Sequence, residues 1–94
     1  MQTWGDATVQ IEILPSPTNK DVHEFIVIIS KGHKPVADLM VSLRVTDDAP
    51  WKQAIQDGNI GVYRTVLSVP HQATQILVLL RRGPQESLLK FPLG

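Results

Sequence analysis

Three histidines, His23, His33 and His71, with Met40 and the adjacent Asp47 and Asp48, are the side chains of this sequence whose donor atoms suit a transition metal. None of them forms a ligand-spaced pair, so any metal site must be assembled from separate connections. No cysteine is present, which removes disulfides, thiolate zinc sites, iron–sulfur ligation and a thiolate nucleophile. Catalysis by a hydroxyl needs a base and an orienting group beside it. Ser30, Ser42, Ser68 and Ser87 stand in no G-x-S-x-G setting, and no H-E-x-x-H run occurs. Asp47 and Asp48 are consecutive, so on an extended chain their carboxylates point to opposite sides and make a poor acid–base pair. The expectation is a protein that is not an enzyme and has no cofactor.

The elements that must position these residues are read from the alternation of apolar residues and from the turn residues between them. Val9, Ile11 and Ile13 alternate with Gln10 and Glu12 until Pro15-Ser16-Pro17 stops the run, which is the period of a half-buried strand. Further strands are predicted over 23–30, 39–46, 51–56, 61–69, 74–82 and 87–93, separated by Lys31-Gly32-His33-Lys34-Pro35, Asp47-Asp48-Ala49-Pro50, Asp57-Gly58, Pro70 and Arg82-Gly83-Pro84-Gln85. No helical period is sustained, and no repeat or low-complexity segment is visible. Seven short strands in 94 residues predict an all-β fold, a seven-stranded antiparallel immunoglobulin-like β-sandwich. One domain then fills 1–94, with 1–7 a loosely ordered lead-in.

In that architecture His33 and His71 fall at opposite ends and cannot share an ion. His23 and His71 fall at one end together with Asp47 and Asp48, and they are the candidate metal ligands. Arg81-Arg82-Gly83 falls at the end that carries Lys31 and Lys34, a small basic patch. Nine basic residues balance nine acidic ones, which argues against a polyanionic partner such as nucleic acid. The preferred reading of Arg81 and Arg82 is as charges that end the aggregation-prone run Ile76-Leu77-Val78-Leu79-Leu80. Tyr63 reads as a core tyrosine, and Trp4 and Trp51 as covers for the ends of the core. The longest apolar runs, Phe25 to Ile29 and Ile76 to Leu80, are far short of the roughly 18 residues that cross a bilayer as a helix. Met1 to Asp6 have neither a basic start nor an apolar stretch, so no signal peptide is expected in them.

An opening V-x-I-x-I-L-P strand, then Gly32-His33-Lys34-Pro35-Val36 leading into Val41-Ser42-Leu43-Arg44, then Gly61-Val62-Tyr63 and a Val69-Pro70 step, form an ordered set of landmarks. In these the chain resembles the small FixH/YtkA-like β-sandwich domains from about Thr8 to Leu93. The resemblance implies a bacterial extracytoplasmic or periplasmic accessory domain, often one module of a larger protein. Some members are associated with copper handling or respiratory oxidase assembly, and no enzyme activity is implied.

The direction of the strand residues adds a surface. If Phe25, Val27 and Ile29 face the core, Ile26 and Ile28 face outward, because successive side chains alternate across a sheet. With Tyr63, Thr65, Leu67 and Val69 inward, Val62 and Val66 face outward on the neighbouring strand. Leu77 and Leu79 belong to an outward set on the other sheet, with Leu88 alongside. A contiguous apolar patch on so small a chain predicts an interface at Ile26, Ile28, Val62 and Val66, covered by a second copy, a neighbouring domain or a protein partner. The expected function is a non-catalytic binding or interaction module. The alternative is a copper-handling periplasmic protein using His23 and His71.

Overall fold

The computed structural model describes residues 2–5, 7–16, 18, 21–32, 34–35, 39–46, 48–56, 58, 60–70 and 72–93. Nine strands are present: β1 (Gln2–Trp4), β2 (Ala7–Pro15), β3 (Val22–Lys31), β4 (Lys34–Pro35), β5 (Met40–Arg44), β6 (Lys52–Gln56), β7 (Val62–Ser68), β8 (Gln75–Arg82) and β9 (Gln85–Pro92). The described residues contain no helix, and so none long and apolar enough to cross a membrane. The fold is all-β, with every strand pair antiparallel. The predicted strands overlap β2, β3 and β5 to β9, some read from a period-2 alternation, as in β2 and β5, and others from β-branched or apolar runs bounded by turn residues, as in β3 and β8. The additional β1 and β4 have three and two residues, too few to show either, and β1 lies in the stretch expected to be a loose lead-in.

The strands form one continuous sheet in the order β1-β2-β3-β7-β6-β5-β8-β9, with β4 paired to β3 off that path. The register stacks the alternating apolar sets on one another. Val9, Ile11 and Ile13 of β2 stand opposite Ile29, Val27 and Phe25 of β3, and Val27 and Phe25 stand opposite Tyr63 and Thr65 of β7. Across the molecule Val41 and Leu43 pair with Leu80 and Val78, and Ile76 with Phe91. These sets meet in a single core in which Phe25, Ile29, Leu43, Ile76 and Leu80 are fully buried. A one-residue slip would turn every one of them outward, so burial fixes the register.

β6 carries the sheet from one half to the other. Its first residues, Lys52 to Ala54, pair with β5, and its last two, Ile55 and Gln56, pair with β7. At the other margin the sheet nearly closes. β1 lies along β2 with Gln2 opposite Val9, while its side chains reach β9. The Trp4 indole N–H donates to Ser87 Oγ at 2.8 Å, and the Gln2 amide donates to the Lys90 carbonyl. This seam is therefore joined by side chains where a ladder of backbone bonds joins every other neighbour. The hairpin between β8 and β9 turns on Gly83, whose φ of 58° is the positive value that the first central residue of a type II′ turn requires, and Pro84 suits the second.

One outward residue does not behave as a surface residue. Leu77 was expected on the exposed side of its strand and is only 2% exposed. It sits in a cross-strand row between Arg44 and Lys90, whose aliphatic stems are long enough to lie over it.

Candidate functional site

The outer face of β2, β3 and β7 is built from the residues that the core leaves over. Because Phe25, Val27 and Ile29 point inward, the same strand turns Val22, Glu24, Ile26 and Ile28 outward. The register then sets Ile28 directly opposite Val62, Ile26 between Glu12 and Arg64, and Glu24 between Leu14 and Val66. The four residues singled out from the sequence thus share one face, but they differ in exposure. Ile26 is 6% exposed in the single chain, Ile28 and Val62 are half-buried, and Val66 is 43% exposed. Arg64 donates to Glu24 Oε1 at 2.9 Å, and this ion pair crosses the face beside Ile26. Two apolar residues not foreseen extend the patch: Leu14 at one margin, 46% exposed, and Ile55 of β6 opposite Arg64, 73% exposed.

Two connected grooves lie at the lower margin of this face. The smaller, about 280 Å³, is walled by Leu14, Pro15, Val22, Glu24 and Val66. The larger, about 560 Å³, shares Val22 and Val66 with it and continues over Val45, Pro50, Trp51 and Leu67. It exists because β6 leaves β7 after Ile55, so the two strands splay between Lys52 and Val66. Lys52 Nζ spans the gap, donating to the Val66 carbonyl at 2.6 Å. The Arg44 guanidinium stacks 4.2 Å above the Trp51 ring on the groove wall, and its Nε is buried with no hydrogen-bond partner among the described residues. No motif read from the sequence marks this groove.

The proposed metal ligands are not brought together by any described contact. His23 points inward at the rim of the core, tilted against Phe25 with ring centroids 6.5 Å apart, and its Nδ1 is buried without a described partner. His71, His33 and Asp47 lie outside the described residues, and Asp48 is exposed. Among the described residues no three His, Asp or Glu side chains are grouped to hold an ion. Lys31 and Arg82 do share an open pocket of about 630 Å³ with Trp4, Glu86 and Ser87, while Arg81 leans towards Glu86 at 3.9 Å. Tyr63 lies in the core at 3% exposure, and Trp4 is partly buried against that core. Two of the four serines are engaged structurally: Ser87 accepts from Trp4, and Ser30 lies 3.4 Å from Thr8 Oγ1.

The arrangement offers apolar grooves, mixed-sign charge and unpaired strand edges, which suit recognition of protein surfaces and extended chains. No protein-family model, no curated protein and no solved structure matches this chain.

Proposed function

We propose that this chain is a non-catalytic interaction module of immunoglobulin-like sandwich type that associates with a second copy of itself through the outer face of β2, β3 and β7. The sandwich reading is supported by the strand order, which places β2, β3, β7 and β6 as successive neighbours and β5, β8 and β9 as another set. An extracytoplasmic accessory role rests on the FixH/YtkA-like landmarks, Gly32 to Val36 and Gly61-Val62-Tyr63.

The observation that carries the self-association is the distribution of charge around the apolar centre. Glu12 and Glu24 lie on the β2–β3 side of the face, and Arg64 lies on the β7 side. A two-fold axis parallel to the strands, between β3 and β7, lays the acidic side of one copy over the basic side of the other and sets Ile28 over Val62. An axis across the strands through the Ile26–Arg64 row would stack Arg64 on Arg64 and is disfavoured. Three strands spaced about 4.8 Å apart and about 23 Å long give a face of roughly 330 Å² in projection. That is below the roughly 800 Å² per partner of a standard interface, so the dimer is weak.

Sedimentation equilibrium up to millimolar chain concentration tests it. The native chain is expected to dimerise, and Ile55→Lys with Val66→Lys, both at exposed positions, to abolish the dimer with the thermal midpoint unchanged. Arg64→Glu is expected to weaken association and the swap Glu24→Arg/Arg64→Glu to restore it. A native chain that stays monomeric at millimolar concentration, or a double-lysine variant that dimerises equally well, refutes the proposal.

A further inference from the structure

The groove beside Trp51 carries a charge that nothing in the fold answers. One step beyond the last pair of β5 and β6, Leu43 with Lys52, the antiparallel register brings Arg44 opposite Trp51, and the guanidinium lies 4.2 Å over the indole ring. The ring holds it at the groove wall, where none of its nitrogens meets an acceptor among the described residues and Nε is withdrawn from water as well. A cation partly removed from water and left unpaired attracts an anion more strongly than a fully solvated arginine does. The groove lining contains Arg44 and Lys52 and no acid. Glu24, the acid of the adjoining smaller groove, is taken up by Arg64 at 2.9 Å, and Asp48 is exposed and outside the lining. Most of the remaining wall is apolar, with Val22, Val45, Val66 and Leu67 in it.

We propose that this groove binds a small apolar monocarboxylate, an acid with an unbranched alkyl body, its carboxylate on Arg44 and its chain against the valine and leucine wall. A carboxylate is planar and matches the fork of a guanidinium; with Nε covered, it takes the two terminal nitrogens end-on. A single negative charge suffices, because Lys52 already donates to the Val66 carbonyl at 2.6 Å and Arg44 is the cation left over. That same lysine crosses the gap between β6 and β7, so the broad surface of a folded protein cannot sink into it, whereas an alkyl chain is thin enough to pass. The volume of about 560 Å³ falls within the range of small-molecule sites, about 300–1,000 Å³. The apolar wall explains why the body of the ligand is alkyl, and the unanswered guanidinium explains why its head is an acid and not an alcohol or an amine. This reading does not rest on self-association. Val66 belongs to both surfaces, so the test is made at micromolar chain concentration, far below the range in which the proposed dimer forms.

The test is a titration of the native chain with octanoate, octan-1-ol and octylammonium, followed by proton–nitrogen NMR. Octanoate is expected to bind with a dissociation constant of roughly 5 mM, the strength usual for a ligand of its size, and to move the Arg44 Nε–H, the Trp51 indole N–H and the amides of Val45 and Leu67 together. At the same low-millimolar concentration octan-1-ol, with the same chain and no charge, is expected to shift the Leu67 amide by about one-fifth as much or less, and octylammonium by less again. Arg44→Met keeps a stem against Trp51 and is expected to erase the difference between octanoate and octan-1-ol, while Arg44→Lys retains part of it. Octan-1-ol that shifts the native groove as strongly as octanoate overturns the proposal, since the groove is then merely apolar. So does a preference for octanoate that survives Arg44→Met, and so does an absence of groove shifts at about four times the expected dissociation constant. The comparison of head groups needs no variant, so it decides the matter even where Arg44→Met fails to fold.

Discussion

The burial of Ile26 on an outward face makes a quantitative demand on Arg64. Ile26 is 6% exposed although its strand points it away from the core, and its cross-strand neighbours are Glu12 and Arg64. If the aliphatic stem of Arg64 provides the cover, Arg64 stabilises the fold in two ways: through its ion pair with Glu24 and through the apolar area its methylenes keep from water. The ion pair is exposed, with side chains 43% and 36% accessible, which holds its contribution to about 0–1 kcal/mol. Exposing roughly 40 Å² of Ile26 by truncating the arginine costs about 1 kcal/mol at 25 cal/mol per Å². Arg64→Ala is therefore expected to lose about 1–2 kcal/mol, Glu24→Gln at most about half of that, and Arg64→Met, which keeps the stem without the charge, little more than Glu24→Gln. Ile26→Ala removes three carbons, worth about 2.4 kcal/mol at 0.8 per methylene, whereas Ile29→Ala also leaves a cavity in the closed core and costs about 3–4 kcal/mol. Urea unfolding at micromolar concentration, far below the range in which the proposed dimer forms, measures each difference at constant slope. The reasoning is refuted if Glu24→Gln costs as much as Arg64→Ala, or if Arg64→Met is no better than Arg64→Ala.

Two further outcomes follow from the seam and its hairpin. Trp4→Phe removes the indole donor to Ser87 and keeps most of the apolar bulk; it is expected to cost about 1 kcal/mol and to speed amide exchange in β1 selectively, read by exchange-detected NMR. Gly83→Ala places a side chain at a φ of 58° with nothing within 4 Å, so the penalty is conformational alone, about 1 kcal/mol, and Gly83→Asn is expected to recover about half of it in thermal unfolding.

The parts of the fold legible in the sequence are those where burial imposes a period. Val9, Ile11 and Ile13, or Val41 and Leu43, alternate because one face of each strand packs on the core, and the strands predicted from them are present. The same parity placed Ile26, Ile28, Val62 and Val66 on one face, since a strand that turns Phe25 inward has no freedom to do otherwise with Ile26. Exposure was not legible, because it depends on which long side chains stand beside a residue on neighbouring strands. Ile26 and Leu77 are outward and buried, each in a row between two long charged side chains, and nothing within their own strands signals it. β1 escaped notice because Gln2, Thr3 and Trp4 are too few to show a pattern, and because what anchors them, Ser87 and Lys90, is more than eighty residues away in sequence.

The grooves and the pocket beside Ile11 and Ile13 share a physical cause. A sheet of eight strands wrapped on so small a core closes only if its strands stay in register all the way round, and here registry lapses in two places. β6 gives its first residues to β5 and its last to β7, so it cannot follow β7 beyond Ile55, and the groove beside Trp51 and Val66 opens there. Among the described residues β1 pairs with β2 from Ala7 to Val9, and the pocket beside Ile11 and Ile13 lies past that pairing. Backbone left unpaired at such lapses costs stability unless something completes it, and an apolar wall beside it sets what can do so. The groove beside Trp51 and Val66 therefore marks the place where β6 passes from one neighbouring strand to the other.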